Sequence, residues 1–442
     1  MKTLNHILFA PKNYHTLVVF RVIFGLITLL SSVRFFAKGW IEELYLNPVF
    51  HFKYYGFNWV EIASPSITYL LFGLMILSSL GILLGLFYRI SAILFFFLFT
   101  YFELIDLTNY LNHYYFVSLV DLLMIFLPAN CNFSLDVKFG FTKRKNAVPS
   151  WTTNSIKLQL AIVYVFAGIA KLNYDWLIEA QPLSIWLAPH TNLPLIGDLM
   201  DEKIVAYLFS WGGALFDLSV PFLLWNSSTR KYAYFFVVVF HVLTSILFPI
   251  GVFPFVMILC TLIFFSSEFH SRLLRFLGNN SSQQTDDSIQ KPKSNNLVKY
   301  VLVSFFIFQF LFPFRYLLYS GNLFWTEQGY RFSWRVMLAE KTGYASFKVF
   351  PYRDNRSITI NNSDFLTPQQ EKMMSTQPDF ILQYAHFLGE QHQINDSIIP
   401  VVKVDSYVSI NGKGSQRYVK KNVDLLPLKN SLKPIDFLEK YN

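Results

Sequence analysis

Lys171 ends the apolar run Leu160–Ala170 and is followed directly by Leu172-Asn173-Tyr174-Asp175-Trp176. An ammonium on the last turn of a membrane helix, with a carboxylate and an indole just beyond, has two readings. Either it snorkels to water, or it is held half desolvated as a functional amine. Asn112-His113 opens another apolar run, and Glu103, Asp106 and Asp175 supply carboxylates in the flanking segments. A lysine whose charged form is disfavoured by desolvation can present a neutral amine as a base, so Lys171 and His113 form a candidate pair. The structural readings stay open beside this one: Asn112-His113 as an interfacial helix cap, Asp106 as a capping acid before Asn109, Glu103 as partner to a buried cation. His241 and Asp217 also fall inside apolar runs. Each is either functional or engaged in a hydrogen bond between helices.

The elements that must position these residues are membrane spans. Of 442 residues, 53% are hydrophobic and 15% charged, against about 25% charged in soluble domains, so the chain reads as a polytopic membrane protein, mainly α. Aromatics at 19% suit packing between helices and at headgroup depth. The net charge of +9 fits cytoplasmic loops and gives no nucleic-acid partner. Cys131 and Cys260 have no spacing for zinc or a redox dithiol and read as structural. Met1–Tyr14 is polar and leads into a full-length apolar run, so no cleavable signal is expected. No Walker loop, HExxH, GxSxG or dinucleotide fingerprint occurs, and no metal site is expected.

Apolar windows predict about nine spans, near Leu17–Phe36, Ile67–Phe87, Ile90–Ile105, Tyr114–Pro128, Ile156–Ala170, Ile204–Trp225, Tyr232–Ile250, Val252–Phe265 and Leu297–Leu318. With nine spans the basic loops at 138–145, 230–231 and 272–293 all fall on one side, which the positive-inside rule makes cytoplasmic. The organisation is then a helical bundle over 1–277, a polar cytoplasmic linker over 278–296, a last transmembrane helix over 297–319, and a small extracytoplasmic α+β domain over 320–442. In that domain the pattern predicts strands over Ser346–Ile360 and Val401–Ile410, a helix over Thr367–Leu388 broken at Gly389, and a hairpin turn at Asn411-Gly412 with Tyr418 onward pairing back. The topology puts Asn112-His113 and Lys171 at the outer ends of the fourth and fifth spans, where one cavity is expected to hold both.

Four segments together resemble the vitamin K-dependent γ-glutamyl carboxylase family, which shares the horizontally transferred transmembrane (HTTM) domain. Leu84 to Ser91 (LGLFYRIS) resembles the LGLxYRIS turn, and Asn112 to Tyr115 (NHYY) the NHxY element. Val163 to Trp176 (VYVFAGIAKLNYDW) resembles VYFxAGxxKLxxDW, and His241 to Phe253 the FHxxxSxLFxIGxF helix. Trp325-Thr326, Tyr330, Ser333-Trp334, Gln383-Tyr384-Ala385, Val408 to Asn411 and Gln416-Arg417 carry the likeness into the soluble part.

The resemblance implies an integral membrane enzyme, a carboxy-lyase and quinol monooxygenase. It would couple oxygenation of reduced vitamin K or a similar naphthoquinol to carboxylation of a peptidyl glutamate, using O2 and CO2. Lys171 falls on the catalytic base and His113, with Asn112, on the position that assists charge development. Tyr330, Trp334, His241, Asp175, Trp176 and Arg417 fall among the expected substrate-binding residues. The implied partners are the bilayer, a lipophilic quinol and a secreted or membrane protein or peptide. Departures fall on the glutamate side: Met373 and Gln377 replace an Arg and a His, Gly329 a Leu, Ala339 a His, and Thr244, Ile246 and Pro249 an Asn, a Gln and a Ser. With the chain ending at Asn442, this implies a short homologue of a bacterial inner membrane. A quinol epoxidase or oxidase without carboxylation is the enzymatic alternative, and a non-catalytic membrane binding or scaffold protein the alternative of another class.

Overall fold

The structure, a computed structural model, describes residues 8–194, 196–279, 295–351, 356–393 and 399–441. Most of the expected linker, 280–294, lies outside the described residues. The apolar runs form α1 (His15–Ala37), α2 (Pro65–Leu84), α3 (Tyr88–Ile105), α4 (Asn112–Phe126), α5 (Ser150–Ala170), α6 (Lys203–Trp225) and α7 (Arg230–Leu247). They continue with α8 (Phe253–Thr261), α9 (Ser267–Phe276) and α10 (Asn296–Leu311), the last extended by 3-10 turns over Phe312–Leu318.

Among the described residues, seven helices are long and apolar enough to cross a membrane, or eight if α8 and α9 are taken as one bent span. The expected count of about nine is reduced by two short elements. The window Tyr114–Pro128 is realised as α4, whose 15 residues reach about 22 Å, less than a hydrocarbon core of about 30 Å. The window Val252–Phe265 stops at Phe264, where Phe265 and Ser266 turn extended and the chain bends by 117° into α9, whose first turn the Ser266 hydroxyl caps. Even so, α4 joins both ends of the bundle. Its Asn112 donates to Arg335 O in the soluble part at 2.8 Å, and at the other end Met124 O accepts from Tyr88 Oη at 2.7 Å.

The end remote from the soluble domain is a polar corner. Gly85, at φ 63°, caps α2, and a Cβ there would lie 2.3 Å from the Arg21 guanidinium. Arg21, 1% exposed, donates to Ala129 O at 3.2 Å and Phe133 O at 2.6 Å. Asp136 accepts from the amides of Phe87 and Tyr88 that open α3. The LGLFYRIS segment is therefore a helix-to-helix corner built around a buried cation.

The soluble domain carries a four-stranded antiparallel sheet in the order β2-β1-β3-β4, with β1 Lys341–Phe350, β2 Ile358–Thr359, β3 Val401–Ile410 and β4 Gln416–Arg417. Period-2 alternation sends Ala345, Phe347 and Val349 inward against Phe380 and Tyr384. Asn411 and Gly412 both take positive φ at the turn after β3, as their types favour. The single helix expected over Thr367–Leu388 is two, α11 (Pro368–Met374) and α12 (Pro378–Gln391). Pro378 holds Gln377 extended and forces the break. Gly389 does not end α12; it lies inside it, where a Cβ would meet Leu426 at 2.6 Å.

This domain is fastened to the bundle by side chains. Asp106 Oδ2 accepts from Gln370 Nε2 at 2.8 Å and meets His51 Nδ1 at 3.3 Å, while Oδ1 accepts from the Thr108 amide and hydroxyl. Gln383 bonds the backbone of Lys53 in both directions. Asp106 thus caps the turn before Asn109, as one of its two readings had it, and also ties the two layers together.

Candidate functional site

Small residues bring Lys171 to its partner. A Cβ on Gly168 would lie 2.9 Å from Leu218 N and 2.7 Å from Leu218 Cγ, so α5 and α6 touch backbone to side chain at that level. One residue from Leu218, Asp217 meets Lys171, which is the C-cap of α5. Lys171 Nζ donates to Asp217 Oδ2 at 2.5 Å and to Ala167 O at 3.4 Å. The two residues are 7% and 4% exposed. Lys171 therefore does not reach to water. Asn173 then reverses the chain, its side chain accepting from Trp176 N, so that Trp176 folds back against α6 with Nε1 donating to Ser210 O at 2.8 Å. The indole ring lies 5.4 Å from Lys171 Nζ, close enough to favour the positive charge the amine gains on protonation.

These groups line a cavity of about 110 Å³ walled by rings, among them Phe209, Phe240, Phe248 and Phe253. His241 lines it too, with Nε2 hydrogen-bonded to the Tyr164 hydroxyl at 3.1 Å and Nδ1 buried without a hydrogen-bond partner among the described residues. Buried polar atoms without partners are uncommon in folded proteins and mark places that a ligand or water completes. Lys171, Asp217, His241, Tyr164 and Thr244 bring polar side chains to the wall of this apolar chamber.

His113 and Asn112 line a second and larger cavity, about 910 Å³, between the bundle and the soluble domain. The expected single cavity is thus two adjoining ones, which share Ile250, Phe253, Val336 and Met337. Phe253 stands between the imidazoles, its ring centroid 5.6 Å from that of His113 and 5.8 Å from that of His241. The larger cavity is charged, with Arg331, Arg335, Lys341 and Lys372 facing Glu327 and Glu340. Burial works against the Arg331 guanidinium, but the Asp379 carboxylate at 2.6 Å outweighs it and holds it above its ordinary pKa. Burial pushes the Lys341 ammonium below its ordinary value, with Glu327 at 2.8 Å opposing.

The remaining expected residues divide. Tyr330 lines the larger cavity and Trp176 the smaller. Trp334 is packed in the core, stacked on Tyr115 at 5.0 Å, and lines neither. Asp175 lies outside both, taking an ion pair from Lys413 at 2.9 Å and a hydrogen bond from Asn411 at 2.8 Å. Arg417 is on β4, spent on Asp405 and Tyr407. Asn112 both lines the larger cavity and anchors the Arg335 segment. Asp217 carries the closest polar contact of the site; its sequence signal was a carboxylate inside an apolar run that also needed a cation.

Of the departures from the family pattern, Thr244 lines the smaller cavity, Gly329 and Ile246 line neither, and Pro249 and the rest line the larger cavity. Met373, Gln377 and Ala339 line it, and the Gln377 side chain accepts from Arg331. Gly329 has φ 83° and a Cβ there would meet the Tyr316 backbone at 2.7 Å, which accounts for glycine at that place.

No solved structure matches the chain. The family model described as HTTM domain matches residues 9–269, more than half of the chain, and the one described as vitamin K-dependent gamma-carboxylase, lumenal domain, matches residues 294–442. The basic, glycine-cornered bundle, the buried amine and the α+β domain seated over it are thus parts of one integral membrane protein, which belongs to the vitamin K-dependent gamma-carboxylase family.

Proposed function

We propose that the protein couples oxygenation of a lipophilic naphthoquinol to carboxylation of a peptidyl glutamate, with the quinol handled at Lys171 and the acceptor glutamate in the larger cavity. The observation that carries the reading is the Lys171–Asp217 pair, buried at 2.5 Å in a ring-walled chamber beside a charged cavity that contains His113. Flat walls, one unpartnered imidazole nitrogen and a base at the rim suit a hydroxylated aromatic ring. Bound there, the reduced quinone would supply with O2 the driving chemistry for removing a glutamate γ-proton. Lys171 Nζ is the proton acceptor, Asp217 fixes its direction and balances the charge it gains, and the aromatic rings keep water out. Across the Phe253 wall, His113 is placed to assist charge development. The cations Arg335, Lys341 and Lys372 give the acceptor's carboxylate a favourable field. The basic loops sit at the far end of the bundle, so the soluble domain is extracytoplasmic.

The test is purified protein given reduced vitamin K, O2 and 14C-labelled CO2 with a glutamyl peptide, scored separately for epoxide and for fixed label. Both products are expected. Neither product from folded protein overturns the reading. Epoxide alone moves the protein to the second reading, a quinol oxidase without carboxylation, which Met373 and the engaged Gln377 favour.

A further inference from the structure

A third cavity, about 550 Å³, lies between α3, α4 and the 3-10 end of α10, on the other side of Tyr110 and Arg331 from the His113 cavity. Its lining is graded. Phe96, Leu122 and Phe312 form an apolar floor within the membrane helices, and Asn430 and Ser431 of the soluble domain form a polar roof. Of the ionisable residues in the lining, Arg331 pairs with Asp379 and Glu327 with Lys341, which leaves a carboxyl and a guanidinium that do not pair with each other. Glu103 lies in the last turn of α3 and makes no ion pair or hydrogen bond among the described residues. Arg315 lies near the end of the last membrane segment, donates to the backbone oxygens of Phe312 and Arg331, and meets no carboxylate within ion-pair distance among the described residues. One turn below Glu103, the hydroxyl oxygen of Thr100 is buried with no hydrogen-bond partner among the described residues.

Charged side chains at membrane depth are costly unless something answers them. Here an acid and a base lining one chamber meet no opposite charge within ion-pair distance among the described residues, at the ends of membrane segments where headgroups lie. We propose that this cavity is a binding site for one zwitterionic aminophospholipid, its phosphate at Arg315, its ammonium at Glu103 and its acyl chains along Phe96, Leu122 and Phe312. A phosphate accepts from a guanidinium, and a primary ammonium gives three donors to a carboxylate, where a trimethylated one gives none. A quinol has no anionic group for Arg315. The proposal concerns a site separate from Lys171 and stands whether or not the protein is a carboxylase.

The full chain, delipidated in mild detergent, is titrated with dioleoylphosphatidylethanolamine or dioleoylphosphatidylcholine in mixed micelles while its thermal unfolding is followed. A saturable rise in Tm is expected with both lipids, with a midpoint at least fivefold lower for the ethanolamine lipid. Glu103→Gln is expected to bring the two midpoints together, and Arg315→Gln to abolish both responses. Mass spectrometry of the undelipidated protein should find about one ethanolamine lipid retained per chain. No saturable response in the wild type, equal midpoints for the two lipids in the wild type, or a retained quinone in place of phospholipid would overturn the proposal. The wild-type comparison decides even if a variant fails to fold, and Ser118→Trp, which fills the chamber from α4 without touching either charge, should remove the response.

Discussion

The cavity at Lys171 and the cavity at His113 share a wall at Phe253, yet they are made differently. The first is small, ringed by aromatic side chains, and takes its key pair from two adjacent helices in close contact. The second is several times larger, charged, and drawn from the α1–α2 loop, α4, the Arg331–Lys341 segment and α11. A chamber of the first kind fixes one geometry in a low-dielectric setting, where a lone amine and carboxylate act strongly on each other. A chamber of the second kind tolerates substitution, because several cations contribute to one field. The departures Met373, Gln377 and Ala339 all fall in the second. The two halves of the proposed reaction are therefore separable by mutation.

The largest separation is expected at Lys171. Lys171→Ala should lower quinol oxidation by about 10²–10⁴-fold, the range of general-base catalysis, and carboxylation should fall with it. Because removing one member of a buried pair is itself destabilising by about 3–5 kcal/mol, the control is Lys171→Met combined with Asp217→Leu. That double variant should recover most of the thermal stability and none of the activity; recovery of turnover would remove Lys171 from the chemistry.

Next comes Gly168→Ala. The added methyl would sit 2.7 Å from Leu218 Cγ and must part α5 from α6, at about 1–3 kcal/mol of stability. A shift near 1 Å in the Lys171–Asp217 relation can cost about 10²-fold in rate. Quinol turnover that stays at the wild-type rate would show that the helix contact does not set the site.

In the larger cavity the effects should be smaller and one-sided. Lys372→Ala or Arg335→Ala should lower label fixed from CO2 by about 10- to 10²-fold, as loss of a charge-assisted hydrogen bond worth about 1.5–3 kcal/mol implies, and leave epoxide formation within about twofold. Restoring the family's side chains with Met373→Arg and Gln377→His should raise the ratio of carboxylation to epoxidation. Equal changes in both products would erase the division drawn between the cavities.

The smallest effect is expected outside both. A hydrogen bond from Lys413 to the Asp175 carboxylate raises the Lys413 pKa, so the pair stabilises the fold below the ordinary lysine range and loses that contribution as pH rises through the raised value. The pair is partly exposed, and Asp175→Asn should change stability by less than about 1 kcal/mol. Melting curves of the two proteins should converge at high pH, with activity unchanged throughout.

Much of this was legible in the chain. The run of apolar windows, the Asn411-Gly412 turn and the alternation along Val401–Ile410 are local signals, and the structure follows them. Lys171 stood out because one cation at the end of an apolar run demands an explanation. Its partner was less legible, because Asp217 is 46 residues away and the close packing of α5 on α6, at Gly168 among other places, brings the two helices into register. Pro378, not Gly389, proved to be the helix breaker, since a glycine packed under Leu426 keeps its helical hydrogen bonds whereas the residue before proline must extend. Asp175, Trp334 and Arg417 sit in recognisable motifs but serve packing and docking, a distinction that depends on which neighbours the fold supplies.

The carboxylate of Asp106, 1% exposed, receives donors from Thr108 below and from Gln370 of the soluble domain above. Lifting the domain would part the Gln370 amide from both Asp106 and the Phe50 carbonyl, and a junction opened too narrowly for water would leave those groups unsatisfied at about 1–3 kcal/mol each. The junction therefore behaves as a latch that opens all at once or not at all. On the proposed function, a flexible peptide acceptor fed in as an extended chain past the rim would need no such opening, whereas a folded acceptor presenting its glutamate from a rigid surface would have to break the latch at every turnover.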